Sequence, residues 1–273
     1  MRKQLAFTHT ESSVRVLPAL RLALLSCLLL SGAAAARTKV IVATDSWARL
    51  MYLDQHKAPA GPMADFINRM NAVQDRFDFE LRIYPRLRVD SVFADKQADV
   101  FPLRTVAWTR PELGLLATTT IIASGDVYFA RRANRYGGHK IFDQLARRRI
   151  VGVRGYHYHI FDNNPDEAVI RKNHNAYLVA SNEAVIDFVM AGRAEVGIVP
   201  EAILATYFAD KRYREQLIVS EFYDSRVELS NLVRSGGPVS VEDMNHIVEL
   251  MVKSGDVQAL RDKLSLRRAA LRK

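Results

Sequence analysis

The hydrophobic pattern of this chain alternates between short strands and amphipathic helices. Lys39–Ala43 is a short apolar run, and hydrophobic residues then recur at helical spacing from Met63 to Met70. From Phe77 to Ile83 apolar and polar residues alternate strictly, which predicts a strand. A short helix around Val89–Phe93 and a strand over Asp99–Phe101 follow. The order strand, helix, strand, helix, strand predicts a mostly parallel α/β sheet flanked by helices.

The same pattern restarts in the second half of the chain. Ile150–Val153 and Ala176–Ala180 are predicted strands. Ser181 is a suitable N-cap for the next helix, and Gly192 is a suitable stop before a strand over Glu195–Val199. Two similar α/β units are therefore expected. The other predicted elements are short helices at 142–148, 158–161 and 201–208, an extended segment at 217–219, and closing helices around 244–251 and 257–264.

The N-terminal segment has the pattern of a secretory signal peptide. Basic residues precede an apolar run at 22–30, and small residues at 31–36 follow it. The apolar run is shorter than the roughly 20 residues that a membrane-spanning helix needs. We therefore expect residues 1–36 to be a signal peptide cleaved after Ala36, and the mature protein to be secreted to the periplasm.

The composition excludes some kinds of site and partner for the mature chain. Cys27 is the single cysteine and lies in the predicted signal, so disulfides, thiolate metal sites and cysteine nucleophiles are excluded after cleavage. The formal net charge of +9 becomes +6 for residues 37–273, because the signal holds four basic residues and one acidic residue. The basic residues form scattered patches without interleaved aromatic residues, so no nucleic-acid partner is expected.

Polar residues at the strand ends are the candidates for a binding site, because ligands of open α/β sheets bind there. The strand at 98–101 leads into a loop that carries Arg110, a candidate anchor for a ligand carboxylate. A guanidinium is planar, always charged and able to form two parallel hydrogen bonds to a carboxylate. Asp45 and Trp47 end the first strand, and Thr105 precedes Arg110. Arg104 and Arg154 would add positive charge to a cleft near Arg110.

Several phrases occur in the order and spacing of a known family, and over residues 38–265 the chain resembles the family 3 periplasmic solute-binding proteins, which include polar amino acid receptors of ABC transporters. The phrases are Gly61–Ile67 (GPMADFI), Lys96–Val100 (KQADV), Thr109–Glu112 (TRPE), Val151–Gly155 (VGVRG) and Ala191–Val196 (AGRAEV).

The resemblance implies a type II periplasmic-binding-protein fold, with two α/β lobes joined by two extended crossings and a cleft that closes by a hinge motion. Lobe 1 would combine residues 37–126 and 222–273, and lobe 2 would be residues 127–221. The family arginine that matches Arg110 grips the ligand carboxylate. The protein would bind a small polar or anionic solute, an amino acid or an organic acid, as a monomer without a cofactor. It would deliver this solute to an inner-membrane ABC permease.

Two departures from the family pattern bear on the ligand. Amino acid receptors carry an aspartate after the second-lobe strand to hold the ligand ammonium, and here Pro200 occupies that position. Either Glu201 takes over that role or no ammonium is bound. The loop after Val153 offers Tyr156 and His157 in place of small hydroxyl residues, and an aromatic side chain there can stack on a ring or narrow the pocket.

Other function classes remain open on the sequence. The cyclohexadienyl dehydratases resemble the same receptors, and His157, Glu201 and Asp45 provide an imidazole and two carboxylates that can move protons in a lyase. No lyase motif, nucleophile elbow or phosphate-binding glycine loop is present. His157 and His159 lack a third metal ligand at a suitable spacing, so no metal is expected. A sensor or accessory module is the third candidate function, beside the receptor and the lyase.

Overall fold

A computed structural model describes residues 36–266, with the exception of Ala48. The described residues from Arg37 to Leu266 belong to one compact unit. The predicted signal peptide, except for Ala36, lies outside the described residues, as do Cys27 and the basic C-terminal residues 267–273. Within the described part of the chain, no helix has the length and hydropathy of a membrane-crossing segment.

Eleven strands form two sheets in the described chain, and together with the helices they confirm the predicted α/β fold class. The large sheet has the order β4-β1-β5-β11-β7-β10-β8-β9, with β6 paired to β11, while β2 and β3 form a separate ribbon. The strands are β1 Thr38–Asp45, β2 Tyr52–Leu53, β3 Pro59–Ala60, β4 Phe77–Tyr84, β5 Val100–Arg104, β6 Leu115–Ala117, β7 Ile122–Arg131, β8 Ile150–Val153, β9 Ala176–Val179, β10 Val196–Pro200 and β11 Leu217–Arg234.

The helices cover the faces of the large sheet with their apolar sides. Met63, Phe66 and Met70 of the first helix are buried at helical spacing, as predicted. The helices are α1 Pro62–Ala72, α2 Arg86–Ala94, α3 Glu167–Asn173, α4 Asn182–Met190, α5 Glu201–Phe208, α6 Lys211–Gln216, α7 Val241–Lys253 and α8 Asp256–Leu264.

Helix ends follow the capping chemistry that the sequence predicts. The Ser181 hydroxyl accepts a hydrogen bond of 3.2 Å from the backbone N–H of Ala184 at the start of α4. Ser240 and Asp243 form a capping box at the start of α7. Gly192, predicted to end α4, follows the helix with φ of +70°, a left-handed conformation that glycine adopts without strain.

Some sequence predictions differ from the structure. The helix predicted at 142–148 consists of two 3₁₀ turns, and the one at 158–161 is a single 3₁₀ turn, His159–Phe161. Helices α3 and α6 were not predicted, because both are short and mostly polar. The extended segment predicted at 217–219 is the start of the much longer strand β11.

Strands β7 and β11 connect the two parallel parts of the large sheet. β1 pairs with β4 and β5 in parallel, and β8 pairs with β9 and β10 in parallel. β11 is antiparallel to β7 over most of its length, and its last residues pair with β5 and β6. We call the β4-β1-β5 side the first half, the β10-β8-β9 side the second half, and β7 and β11 the crossing strands. The predicted lobe boundaries fall inside these crossing strands.

The two crossing strands approach each other closely at Gly125. A Cβ atom at this position would lie 2.1 Å from the backbone oxygen of Ser225 on β11. Only glycine leaves room for such an approach of two backbones.

Candidate ligand-binding site

A cavity of about 300 Å³ lies between the two halves, at the carboxyl ends of their strands. This volume is at the lower end of the range for small-molecule sites. The first half contributes the segment after β1, the N-terminus of α2 and the loop after β5. The second half contributes the loop after β8 and the end of β10, and β7 forms the base. The lining residues are Trp47, Arg86, Arg104, Ala107, Trp108, Thr109, Asp126, Gly155, Tyr156, His157 and Pro200.

Arg104 is the buried cation of this cavity, with 4% of its surface exposed. Its Nη2 donates a hydrogen bond of 3.1 Å to Oδ1 of Asp45, which is also buried. The guanidinium carbon lies 5.0 Å from the ring centre of Trp47 and 5.8 Å from that of Trp108. Burial lowers the pKa of Arg104 to about 10, and the charge of Asp45 partly offsets this effect. The group therefore stays charged at neutral pH.

An irregularity in β5 places Arg104 on the cavity wall. Arg104 pairs with Ser230 and Phe101 with Leu232, so β5 has one residue more than β11 over this stretch. The bulge contains Pro102, which has no N–H to donate, and Leu103, whose φ of +47° is unusual for a bulky residue. Strained backbone of this kind is concentrated at functional sites.

Two buried donors at this wall lack acceptors. The Nε atom of Arg104 and the indole Nε1 of Trp47 are buried and have no hydrogen-bond partner among the residues that the structure describes. Leaving a buried donor unpaired costs about 1–3 kcal/mol, and more for a charged group. A bound anion or other acceptor would recover this energy.

The second half presents aromatic side chains across the cavity. Tyr156 and His157 follow a turn at Gly155, whose φ is +78°. Burial raises the pKa of Tyr156, and the negative charge of Asp45 adds to this shift. Tyr156 is therefore a neutral hydroxyl at neutral pH, able to donate one hydrogen bond to a ligand and to accept others.

Asp126 is a carboxylate at the base of the cavity, on β7. Its Oδ2 accepts a hydrogen bond of 3.0 Å from the Ser225 hydroxyl. Burial raises the pKa of Asp126 to about 6, the Ser225 hydroxyl opposes the shift, and the charge of Asp224 adds to it. Asp126 makes no ion pair with any residue in the described part of the chain.

The charges of the cavity balance when Asp126 is ionised. Arg86 reaches Oδ1 of Asp45 at 3.6 Å, so two arginines share that carboxylate and leave one positive charge uncompensated on this wall. Asp126 provides one negative charge at the base. Such a cavity matches a ligand with one anionic and one cationic group.

The structure places only some of the sequence-predicted site residues at the cavity. Trp47, Tyr156 and His157 line the cavity. Asp45 lies behind Arg104 and holds it through the hydrogen bond described above. Thr105 adjoins Arg104 and is not part of the wall.

Arg110, the expected anchor, is placed outside the cavity. Its side chain is 54% exposed, and its Nε lies 3.2 Å from Oδ2 of Asp90 on α2. The 3₁₀ turn Val106–Trp108 turns the chain before Arg110, so that Trp108 and Thr109 face the cavity instead. The arginines that line the cavity are Arg86 and Arg104.

Arg154 and Glu201 are also turned to other partners. Arg154 pairs with Glu167 of α3, with its Nε 2.5 Å from Oε2. Glu201 accepts hydrogen bonds from the Tyr223 hydroxyl at 2.7 Å and from the backbone N–H of Leu266 at 3.3 Å. Neither residue lines the cavity.

Glu201 lines three other cavities, the largest of about 490 Å³. The arginines of that largest cavity, Arg132 and Arg214, donate hydrogen bonds to backbone carbonyls, and its wall ends at Leu266, the last described residue. It therefore has fewer unpaired polar groups available to a ligand than the cavity at Arg104.

The sequence does not identify three residues of the cavity wall as site residues: Arg104, Arg86 and Asp126. The sequence indicates Arg104 only as an additional charge, although it stands at the end of a buried strand, where ligands of α/β sheets bind. Arg86 at the start of α2 gives no such indication. Asp126 lies inside a continuous strand, and only the pairing of β7 with β10 reveals its position.

The raised pKa of Asp126 predicts a stabilising substitution. A carboxyl pKa raised by folding contributes stability that is fully present below its unfolded value of 3.8 and is lost as the pH rises through about 6. We expect Asp126→Asn to stabilise the unliganded protein by about 2 kcal/mol near pH 7.5 and by little near pH 4. Urea unfolding of both proteins at the two pH values measures this difference. Equal differences at both values would contradict it.

Solved structures with the same architecture are numerous. A binding component of an ABC transporter from Wolinella succinogenes in complex with lysine superposes with a TM-score of 0.64 at 14% identity, covering 84% of this chain and 97% of that one. A histidine kinase sensor domain similar to periplasmic binding proteins gives 0.63 at 17% identity, with 84% and 96% covered. An ancestral amino-acid-binding protein, a precursor of cyclohexadienyl dehydratase, gives 0.60 at 15% identity, with 83% and 95% covered.

The chain therefore has the fold of the type II periplasmic binding proteins, and the resemblance noted in the sequence is confirmed at the level of the fold. No protein-family model matches the chain, and no curated protein matches it. In the described residues, no group of three or more His, Cys, Asp or Glu side chains is arranged to hold a metal ion.

Proposed function

We propose that this protein is a periplasmic receptor that captures a small carboxylate-bearing solute in the cavity at Arg104. The unpaired buried donors of Arg104 and Trp47 carry this proposal. A buried guanidinium N–H without an acceptor is costly, and an anion that enters the cavity can pair with it.

Binding is proposed to favour a closed arrangement of the two halves. Arg104 takes the carboxylate on the first half, and Tyr156 and His157 add contacts from the second half. Since these contacts exist together only when the halves are close, the ligand shifts the population toward the closed state. The crossing strands β7 and β11 provide the hinge.

The wider role follows the expectations from the sequence. The protein is exported by its N-terminal segment, acts as a monomer and delivers its solute to an inner-membrane ABC permease. The likeness to a binding component of an ABC transporter supports this assignment at the level of the fold.

Intrinsic fluorescence offers a direct test, because the chain has two tryptophans and both line the cavity. Solutes that bind there are expected to change the emission of Trp47 and Trp108, and to raise the melting temperature of the chain from Arg37 onward. Carboxylic acids and amino acids form the test panel, with their amides as controls. A solute that raises the melting temperature without changing the emission would place the binding site elsewhere.

A conservative change at Trp47 tests the unpaired donor itself. Trp47→Phe keeps an aromatic face over Arg104 and removes the indole N–H. We expect a five- to tenfold loss of affinity for the solute, because one hydrogen bond contributes about 1 kcal/mol. Titration calorimetry measures this loss, and unchanged affinity would exclude Nε1 as a ligand contact.

The two alternative functions, an enzyme and a sensor, are supported to different degrees. Of the three residues considered for a lyase, His157 alone lines the cavity, while Asp45 is ion-paired and Glu201 lies elsewhere. We therefore propose a binding protein and not an enzyme. A sensor role would use the same cavity, as the likeness to a kinase sensor domain illustrates, and a sensor kinase encoded beside this gene would favour it.

A further inference from the structure

Asp126 on β7 lies beside the carboxyl end of β10, where the second half lines the cavity. In the antiparallel pairing of β10 with β7, Pro200 lies directly opposite Asp126. Residues opposite each other in such a pair project to the same face of the sheet, with Cβ atoms about 5 Å apart.

Asp126 differs from the other sheltered carboxylates of the described chain in lacking a compensating partner. Asp45 pairs with Arg104, and Asp99 pairs with Arg234 at 2.6 Å. Asp224 accepts hydrogen bonds from the Tyr128 hydroxyl and from two backbone N–H groups. Asp126 has a single hydroxyl donor on Oδ2, and no described residue donates to its Oδ1.

We propose that Asp126 receives the ammonium group of the ligand, so that the solute is an amino acid and not an organic acid without an amine. This inference rests on the proposed function, because the ligand carboxylate is taken to lie on Arg104. Arg104 and Asp126 line the same cavity of about 300 Å³, so one small zwitterion can reach both. An ammonium at Oδ1 removes the uncompensated charge of Asp126, as the carboxylate does for Arg104.

Asp126 lies on the crossing strand β7 and not on either half of the sheet. β7 pairs with β10 of the second half and with β11, the strand that continues into the first half. The carboxylate therefore belongs to the hinge and is in place before the halves close. Glu201, the substitute expected from the sequence, is held by Tyr223 and does not line this cavity.

Titration of Asp126 supports the assignment. With a pKa of about 6, the carboxyl is ionised at neutral pH, and a neighbouring ammonium favours the ionised form further. Binding of an amino acid is expected to weaken as the pH falls below 6. The titratable groups nearby are Asp224, Tyr128 and Tyr158, together with His157 across the cavity. The pH profile is therefore measured for wild type and for Asp126→Asn, and its loss in the variant assigns it to Asp126.

Matched ligand pairs test the inference. The chain from Arg37 onward is titrated calorimetrically with L-amino acids and with the 2-hydroxy acids that carry the same side chains. Asp126→Asn keeps the size of the side chain and an acceptor for Ser225. Asp90→Asn makes the same change of charge outside the cavity and is the matched control.

We expect wild type to bind an amino acid and to reject its hydroxy acid. Asp126→Asn should lose at least about 30-fold in affinity for that amino acid, while Asp90→Asn keeps it. Equal binding of both ligand types with no effect of Asp126→Asn would overturn the inference and leave a carboxylate receptor. Failure of wild type to bind any member of either series would contradict the proposed function as well.

Discussion

Replacing Arg104 by alanine is expected to weaken binding of the carboxylate-bearing solute by at least about 100-fold. The substitution removes the buried guanidinium that would form a bidentate pair with the carboxylate. It also leaves Asp45 with Arg86 as its remaining cation, at 3.6 Å. Titration calorimetry measures the affinity, and circular dichroism establishes that the variant is folded.

Two further variants separate binding from folding. Arg104→Lys keeps a positive charge beside Asp45 and loses the planar fork, so we expect a folded protein with affinity reduced about tenfold or more. Arg110→Ala removes the exposed arginine that the sequence favoured, and we expect it to retain the affinity of wild type. If Arg110→Ala abolishes binding and Arg104→Lys does not, the anchor is Arg110.

Replacing Gly125 by alanine is expected to have the largest effect on stability. The added Cβ would lie 2.1 Å from the backbone oxygen of Ser225, and a backbone atom cannot move aside as a flexible side chain can. The crossing strands must therefore separate locally. We expect a loss of about 3 kcal/mol in the free energy of unfolding, measured by urea denaturation.

Ala123→Ser provides the control for this change, because Ala123 is an exposed residue on the same strand. It is expected to alter stability by less than about 0.5 kcal/mol. A Gly125→Ala variant as stable as Ala123→Ser would show that β7 and β11 separate at little cost.

The repeated α/β pattern was predictable because hydrophobic periodicity reports burial directly. The strict alternation from Phe77 to Ile83 predicted β4, and Ser181 and Gly192 predicted the limits of α4. The sequence could not reveal the full length of β11, since that strand changes neighbours along its course and its burial is irregular.

The site was less predictable because it depends on register and backbone irregularity. A loop arginine before a proline suggested Arg110, whereas the bulge at Leu103 brings Arg104 to the wall. Asp126 gives no signal within its strand, and only its pairing with Pro200 at the end of β10 shows that it lies beside the cavity. By contrast, Trp47, Tyr156 and His157 were predictable, because they follow the ends of strands that share one edge.

A crystal structure of the chain with the tightest-binding solute from the panel shows which arginine binds the carboxylate. We expect the solute between the two halves, with its carboxylate about 2.7–2.9 Å from nitrogen atoms of the Arg104 guanidinium. A solute bound at Arg110 or in the cavity beside Glu201, with no ligand atom near Arg104, would contradict this expectation.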